Sequence, residues 1–102
     1  MASTLSIQSS DNIEREEVLR LVNAAITSEE HRLELALELA RKRLATFETT
    51  YHVSSETFIT TYTAEDLPGG DDEYVEWAGE YKLKQRLQTH LERLRGVRYA
   101  SA

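Results

Sequence analysis

The chain has 102 residues, the length of one domain, and no cysteine, so it forms neither disulfides nor thiolate metal sites. Hydrophobic residues make up 40% and charged residues 29%, the balance of an ordinary soluble domain. A formal net charge of −6 disfavours nucleic acid as a partner. No apolar run approaches the ~18 residues of a membrane span. The first residues lack the basic start of a secretory signal, so we expect a cytoplasmic protein.

The first predicted element is a long helix. Residues 1–10 are typical of a flexible tail or one short strand, and the pattern becomes helical from Asp11. Apolar residues then recur seven positions apart in two rows, which form a coiled-coil-like seam: Leu19, Ile26, Leu33, Ala40 and Phe47, and Leu37, Leu44 and Tyr51. Because the seam keeps its phase without Gly or Pro, we predict one continuous helix over residues 11–51. Thr27 and Glu30 have the spacing of a capping box, so the alternative is a break into helices 12–25 and 28–51.

A connector follows the long helix. Ser54 or Ser55 can cap a short helix over residues 56–62, although the Thr-rich sequence also suits a strand. The connector ends at Leu67-Pro68-Gly69-Gly70, the strongest turn signal in the chain.

The last predicted element is a helix over residues 71–95, with Gly96 as its cap and an extended segment at 97–99. Acids lie near its start and bases in its second half, which complements the helix macrodipole. Two apolar rows run along it: Tyr74, Trp77, Ala78 and Tyr81 in one, and Leu83, Leu87, Leu91 and Leu94 in the other.

These elements predict an all-α fold, an antiparallel hairpin of two long helices joined by a short connector helix. Residues 11–99 form the domain, with tails at 1–10 and 100–102. Residues of the seam should pack against residues of the last helix: Leu33, Leu37, Leu44 and Phe47 against Trp77, Leu87, Leu91 and Leu94.

The two helices are unequal, since the last one is predicted to reach back only to about residue 28 at ~1.5 Å per residue. The apolar segment 18–26 is then left without a partner in its own chain. We therefore predict that a homodimer completes the bundle, with Leu19, Val22 and Ile26 at its interface. The polar seam residues Asn23 and Glu30 would fix the register.

No pattern indicates an enzyme, a cofactor or a metal site. His31, His52 and His90 lack the Glu-x-x-His pairs of bundle metal sites. Glu48 and His52 have the spacing of an ion pair near a helix end. The acids at 71–76 lack the spacing of a calcium loop and are typical of helix capping.

Binding to another protein is the function that the surface residues favour. The basic stretch 82–98 is typical of a solvated helix face, with nucleic acid or an acidic protein as the alternative ligands. A strand at 5–7 before two helices would imitate a ribbon-helix-helix repressor, but it lacks basic reading residues. Trp77 and Tyr81 suit either the core or an interface. The predicted partner-binding residues are Glu76, Trp77, Glu80, Tyr81, Arg86, Arg93 and Arg95.

Two stretches resemble a group of small helical proteins of cyanobacteria and archaea. The first runs from Phe47 to Phe58, with Glu48, Tyr51 and Ser55 among its shared positions, and the second is Glu76-Trp77-Ala78-Gly79-Glu80-Tyr81 followed by Leu83, Leu87 and Leu94. The resemblance covers residues 12–99 and implies an antitoxin-like role in a two-gene pair, with TumE-type toxins as one proposed partner. This chain departs from the family pattern at two points. Relatives often have Gly where His52 stands, which would end their long helix in a left-handed cap, and the turn at Pro68-Gly69-Gly70 is a local variation. A stand-alone coiled-coil adaptor or scaffold is the alternative function, and a DNA-binding autorepressor using residues 82–98 is a third.

Overall fold

The fold is a hairpin of two long helices. The computed structural model describes residues 12–101 of the chain. Helix α1 spans Asn12–Tyr51, α2 spans Ser55–Thr61 and α3 spans Gly70–Ser101, with a 3-10 turn at Ala64–Asp66 before α3. The molecule measures 65 × 24 × 17 Å, so it is a rod only two helices wide. The predicted all-α hairpin with a short connector helix is confirmed.

Helix α1 is continuous through Thr27–Glu30, as predicted. Its buried apolar residues follow the seam: Ile26, Leu33, Leu37, Ala40 and Leu44. Glu30 lies on the same side and is 4% exposed. Its carboxylate pairs with Arg95 and Arg98 of α3 instead of capping a second helix. These ion pairs neutralise Glu30 inside the chain, so it is not available to fix the register of a dimer.

The core consists of two clusters along the contact between α1 and α3. Near the connector, Leu44 packs with Phe58, Leu67 and Trp77, and Phe47 lies against the same cluster. Toward the other end, Leu33 and Leu37 pack with Leu91, and Leu87 and Leu94 lie against them. The predicted pairing of the seam with the last helix is confirmed, and the two rows of α3 correspond to the two clusters.

The end of α1 has the geometry of a left-handed cap. His52 has φ 56°, and the Val53 backbone N–H donates to the Glu48 carbonyl at 3.3 Å. This bond reaches back five residues, as in a Schellman motif. Ser54, rather than Ser55, then caps α2, since its hydroxyl accepts from the Thr57 backbone N–H at 3.1 Å. Only residues 52–54 thus separate the end of α1 from the start of α2.

Glycine is required twice at the start of α3. A Cβ at Gly69 would lie 2.8 Å from the Glu73 Cβ, so only glycine allows the chain to pass this close to α3. Gly70 has φ 64°, which glycine adopts without strain. The turn signal at Pro68-Gly69-Gly70 is therefore explained by one close approach and one left-handed residue.

The predicted end of the last helix is wrong. Helix α3 does not stop at Arg95 and Gly96 but continues to Ser101, so segment 97–99 is helical and residues 100–101 are not a tail. Gly96 costs a helix about 1 kcal/mol relative to alanine. On either side of it, Arg95 and Arg98 form ion pairs with acids of α1, and these tertiary contacts hold the last turns in place.

Some predictions lie outside the described residues. The N-terminal tail or strand at residues 1–10, the start of the domain at Asp11 and the final residue of the predicted C-terminal tail belong to this group. Within residues 12–101, neither long helix has an apolar stretch of the length that crossing a membrane requires.

The left-handed conformation of His52 predicts a stabilising substitution. His52→Gly should raise the free energy of unfolding by about 1 kcal/mol, because a residue with a Cβ pays roughly that much for a left-handed conformation. Urea denaturation followed by circular dichroism measures the change.

Ala45→Gly is the matched control, since Ala45 is exposed in the interior of the same helix. It should lower stability by about 1 kcal/mol. A loss of stability in both glycine variants would contradict the left-handed cap.

Candidate interaction surfaces

Trp77 belongs to the core and is not a surface contact. Its ring stacks on Phe58 with 3.8 Å between centroids and on Phe47 with 5.2 Å, and it is 0% exposed. Its Nε1–H donates to the Ser55 Oγ at 2.9 Å. The prediction of Trp77 as a partner-binding residue is therefore wrong in this conformation. Tyr81 is half-buried against the same cluster, so only part of its ring is accessible.

Glu48 organises the connector rather than pairing with His52. Its Oε2 accepts from the Ser55 hydroxyl at 2.7 Å and from the Ser55 backbone N–H at 2.9 Å. A carboxylate at this position satisfies a free N–H of the first turn of α2. A chain of hydrogen bonds thus runs from Trp77 through Ser55 to Glu48.

Both stretches that carry the family resemblance meet in this cluster. Phe47, Glu48, Ser55 and Phe58 come from the first stretch, and Trp77 comes from the second. Since these side chains are mostly turned inward, the motifs describe how the connector packs. They do not by themselves mark a binding surface.

A second set of predicted residues is engaged in ion pairs across the hairpin. Arg95 lies 2.8 Å from Glu34, and Arg98 lies 3.1 Å from Glu30. Near the connector, Arg43 Nη1 lies 3.7 Å from Glu80 Oε2. Arg95 and Glu80 therefore have partners in their own chain and are less available for another protein than the sequence suggests.

A row of cations remains on the outer side of α3. Lys82, Arg86 and Arg93, which we call the basic row, are exposed and form no ion pair with the described residues. Together with Gln85, Thr89 and His90 they line a shallow groove of about 570 Å³. The structure thus keeps Arg86 and Arg93 of the predicted set together on one accessible face.

A smaller groove lies between α1 and α3 near the connector. We call it the Gly79 groove, of about 480 Å³, and it is lined by Arg43, Thr46, Phe47, Val75, Glu76, Gly79 and Glu80. It contains both predicted acidic contacts, Glu76 and Glu80. Glu76 is exposed, whereas the Glu80 carboxylate faces Arg43. The groove therefore combines an apolar wall with two acids.

Exposed leucines that were not predicted from the sequence lie on the outer side of α1. Leu21, Leu35 and Leu39 are 71%, 69% and 48% exposed. They lie off the heptad seam, and their spacings of 14 and 4 residues place them on one side of the helix. A search for a second apolar stripe on α1 could have found them.

The predicted dimer residues have different surroundings. Ile26 is 8% exposed in the single chain, whereas Leu19 and Val22 are half-buried. Because α3 is longer than predicted, it comes level with the region of Ile26. The part of α1 that projects past the described end of α3 is therefore about three turns, from Asn12 to about Asn23.

Residues 12–101 contain no cluster of three His, Asp or Glu side chains that could hold a metal ion. No family model, curated protein or solved structure matches the chain. The resemblance to antitoxin-like proteins therefore stays a prediction.

One titratable group has a strongly shifted pKa. The Tyr51 hydroxyl donates to the Glu73 carboxylate. The pKa of Tyr51 is raised from 10.0 to about 12. The largest cause is this hydrogen bond, followed by desolvation and by the negative charge of Glu73. The bond links the end of α1 to the start of α3.

The direction of this shift predicts alkaline sensitivity. Since the folded-state pKa of Tyr51 lies above the unfolded one, its stabilisation is complete below pH 10 and is lost as the pH rises toward about 12. Wild type should therefore lose more stability between these pH values than Tyr51→Phe does. Urea denaturation at both pH values measures the difference, with Tyr62→Phe as the matched tyrosine control. Equal slopes for wild type and Tyr51→Phe would contradict the assignment.

Proposed function

We propose that the protein is an antitoxin-like interaction module that binds and masks a small protein encoded by a neighbouring gene, in the cytoplasm. One observation supports this most: the basic row is left without ion pairs among the described residues, in a chain of net charge −6. The other bases of α3 have partners, since Lys84 pairs with Glu56 and Arg95 and Arg98 pair with α1. An isolated cationic face on an acidic protein favours an acidic partner surface.

A protein partner is favoured over nucleic acid. Three cations along one side of a helix neutralise few phosphates, and affinity for DNA depends on how many are neutralised. The negative charge of the remaining chain would repel the DNA backbone at low salt. Binding to DNA, the autorepressor function, is therefore one of the outcomes that the experiment below distinguishes.

The decisive experiment is co-expression with the product of the adjacent gene. Arg86→Glu with Arg93→Glu should weaken capture of that product by at least about tenfold, because like charges would then face each other across the interface. Co-purification and titration calorimetry measure the binding, and growth of the host measures relief of toxicity.

Arg41→Glu with Lys42→Glu is the matched control, because both residues are exposed on α1 and the variant has the same net charge. It should bind as wild type does. The proposal is refuted if the neighbour's product neither binds the wild type nor has its growth effect relieved. Salt-sensitive binding of wild type to its own upstream DNA would support the autorepressor instead.

A homodimeric scaffold is the second candidate function. The observation that favours it is the projecting part of α1, where Leu19 and Val22 are only half-buried. Exposed apolar area costs ~25 cal/mol per Å², and a second copy with the same segment would cover it. Since Ile26 is already buried, this interface uses Leu19 and Val22.

Sedimentation equilibrium tests the scaffold. At tens of micromolar we expect twice the chain mass of 11.7 kDa for wild type and the chain mass for Leu19→Glu with Val22→Glu. Leu35→Glu, which changes an exposed leucine outside the projecting segment, should leave the dimer intact. A wild type of 11.7 kDa would reject the dimer.

A further inference from the structure

The space above Gly79 in the Gly79 groove is not filled by the described chain. A Cβ placed on Gly79 would meet no atom within 4 Å, so no side chain of the described chain requires a glycine there. Glycine weakens a helix relative to alanine, and Gly79 lies well inside α3. A glycine without an internal packing role leaves the backbone accessible to a side chain from outside.

The walls of this groove are apolar. Phe47 is half-buried and Val75 is 65% exposed on the rim. A hole with a small residue at its base and large apolar residues beside it has the shape that accepts a protruding side chain of another helix.

The groove also contains an incompletely satisfied carboxylate. Glu80 Oε2 is buried and accepts no hydrogen bond from the described protein. Arg43 Nη1, at 3.7 Å, lies beyond hydrogen-bond distance from it. Exposed Glu76 adds a second negative charge at the rim. Glu80 is occupied by Arg43, so Glu76 is the carboxylate that a Lys or Arg side chain entering the groove would meet.

The basic row follows Val75 and Gly79 of the groove along one side of α3. Val75, Gly79, Lys82, Arg86 and Arg93 follow at spacings of four, three, four and seven residues, which is the spacing of one helix face. Exposed Glu76 flanks this face beside Gly79, and the charge is positive from Lys82 onward. Gly79 and Arg93 are about 21 Å apart at ~1.5 Å per residue.

We propose that one amphipathic helix of the partner protein lies along this face of α3. An apolar side chain of that helix enters over Gly79, a Lys or Arg beside it binds the exposed Glu76 carboxylate, and acidic residues about two turns further on face Arg86 and Arg93. The partner helix needs about 15 residues to span these contacts. This assignment rests on the proposed function, because it specifies the chemistry of the partner at the basic row and adds the groove as its anchor.

Synthetic helical peptides of 18 residues provide the probe, independently of the neighbouring gene. The first peptide has lysines in one half, glutamates in the other and a leucine anchor within the lysine half. The second has the same composition with Lys and Glu intermixed, and the third has alanine in place of the anchor. Amide shifts of the ¹⁵N-labelled full chain report where each peptide binds, and the Gly79 and Gly96 signals report on two sites of the same helix.

We expect the first peptide to shift the amides of Gly79, Arg86 and Arg93, and the other two peptides to bind at least about tenfold more weakly. Gly79→Leu should abolish the groove contact and weaken the first peptide by about tenfold. Gly96→Leu is the matched control, since a Cβ there also meets no atom within 4 Å but lies outside the groove. Both variants should melt no lower than wild type, because leucine favours a helix over glycine.

Equal affinity of Gly79→Leu and Gly96→Leu for the first peptide would overturn the assignment. Shifts confined to the amides of Arg86 and Arg93 would also overturn it. That result would support an acidic partner at the basic row but no apolar side chain in the Gly79 groove. Absence of shifts with about 1 mM peptide, or shifts of the basic row with duplex DNA alone, would overturn it as well. Failure of the neighbour's product to bind would refute the antitoxin-like role and leave this peptide result unaffected.

Discussion

Burial of the indole of Trp77 determines how the connector crosses the hairpin. Phe47 and Tyr51 come from α1 and Phe58 from α2, so the three rings that stack on Trp77 bring three helices together at one point. Aromatic pairs of this kind add about 0.5–1.5 kcal/mol each beyond the area that they bury. The indole N–H would be costly to bury unpaired, and Ser55 accepts from it. Because Ser55 is in turn bonded to Glu48, these hydrogen bonds hold the start of α2 against α1.

Charge acts along the rest of the hairpin. Acidic residues near the start of a helix and basic residues near its end complement the helix macrodipole. In an antiparallel pair, the start of one helix lies beside the end of the other, so opposite charges face each other across the contact. Arg43 with Glu80 near the connector and Arg98 with Glu30 near the other end are examples. Exposed ion pairs contribute little, about 0–1 kcal/mol, whereas Glu30 is 4% exposed and depends on its two arginines. The basic row on the outer side of α3 lies outside this system of pairs.

The regular parts of the fold could be predicted because they depend on local spacing. The seven-residue seam keeps α1 continuous, and the leucines of α3 pack against it as their spacing indicates. The end of α3 could not be predicted in this way. Gly96 is a local signal for the end of a helix, but Arg95 and Arg98 form ion pairs with a distant segment, and these pairs outweigh that signal. Trp77 was ambiguous for a related reason: its environment is formed by residues 19 to 30 positions earlier in the chain, and only the connector path brings them together.

The candidate surfaces follow from the thinness of the molecule. With two helices side by side and the connector at one end, most of the outer sides of α1 and α3 are not covered by the described chain. Leu21, Leu35 and Val75 lie on these outer sides, and each is at least 65% exposed. Those on α1 lie apart from the Gly79 groove, whereas Val75 lies on its rim. A partner on α3 would leave the projecting part of α1, with Leu19 and Val22, accessible to a second copy of the chain.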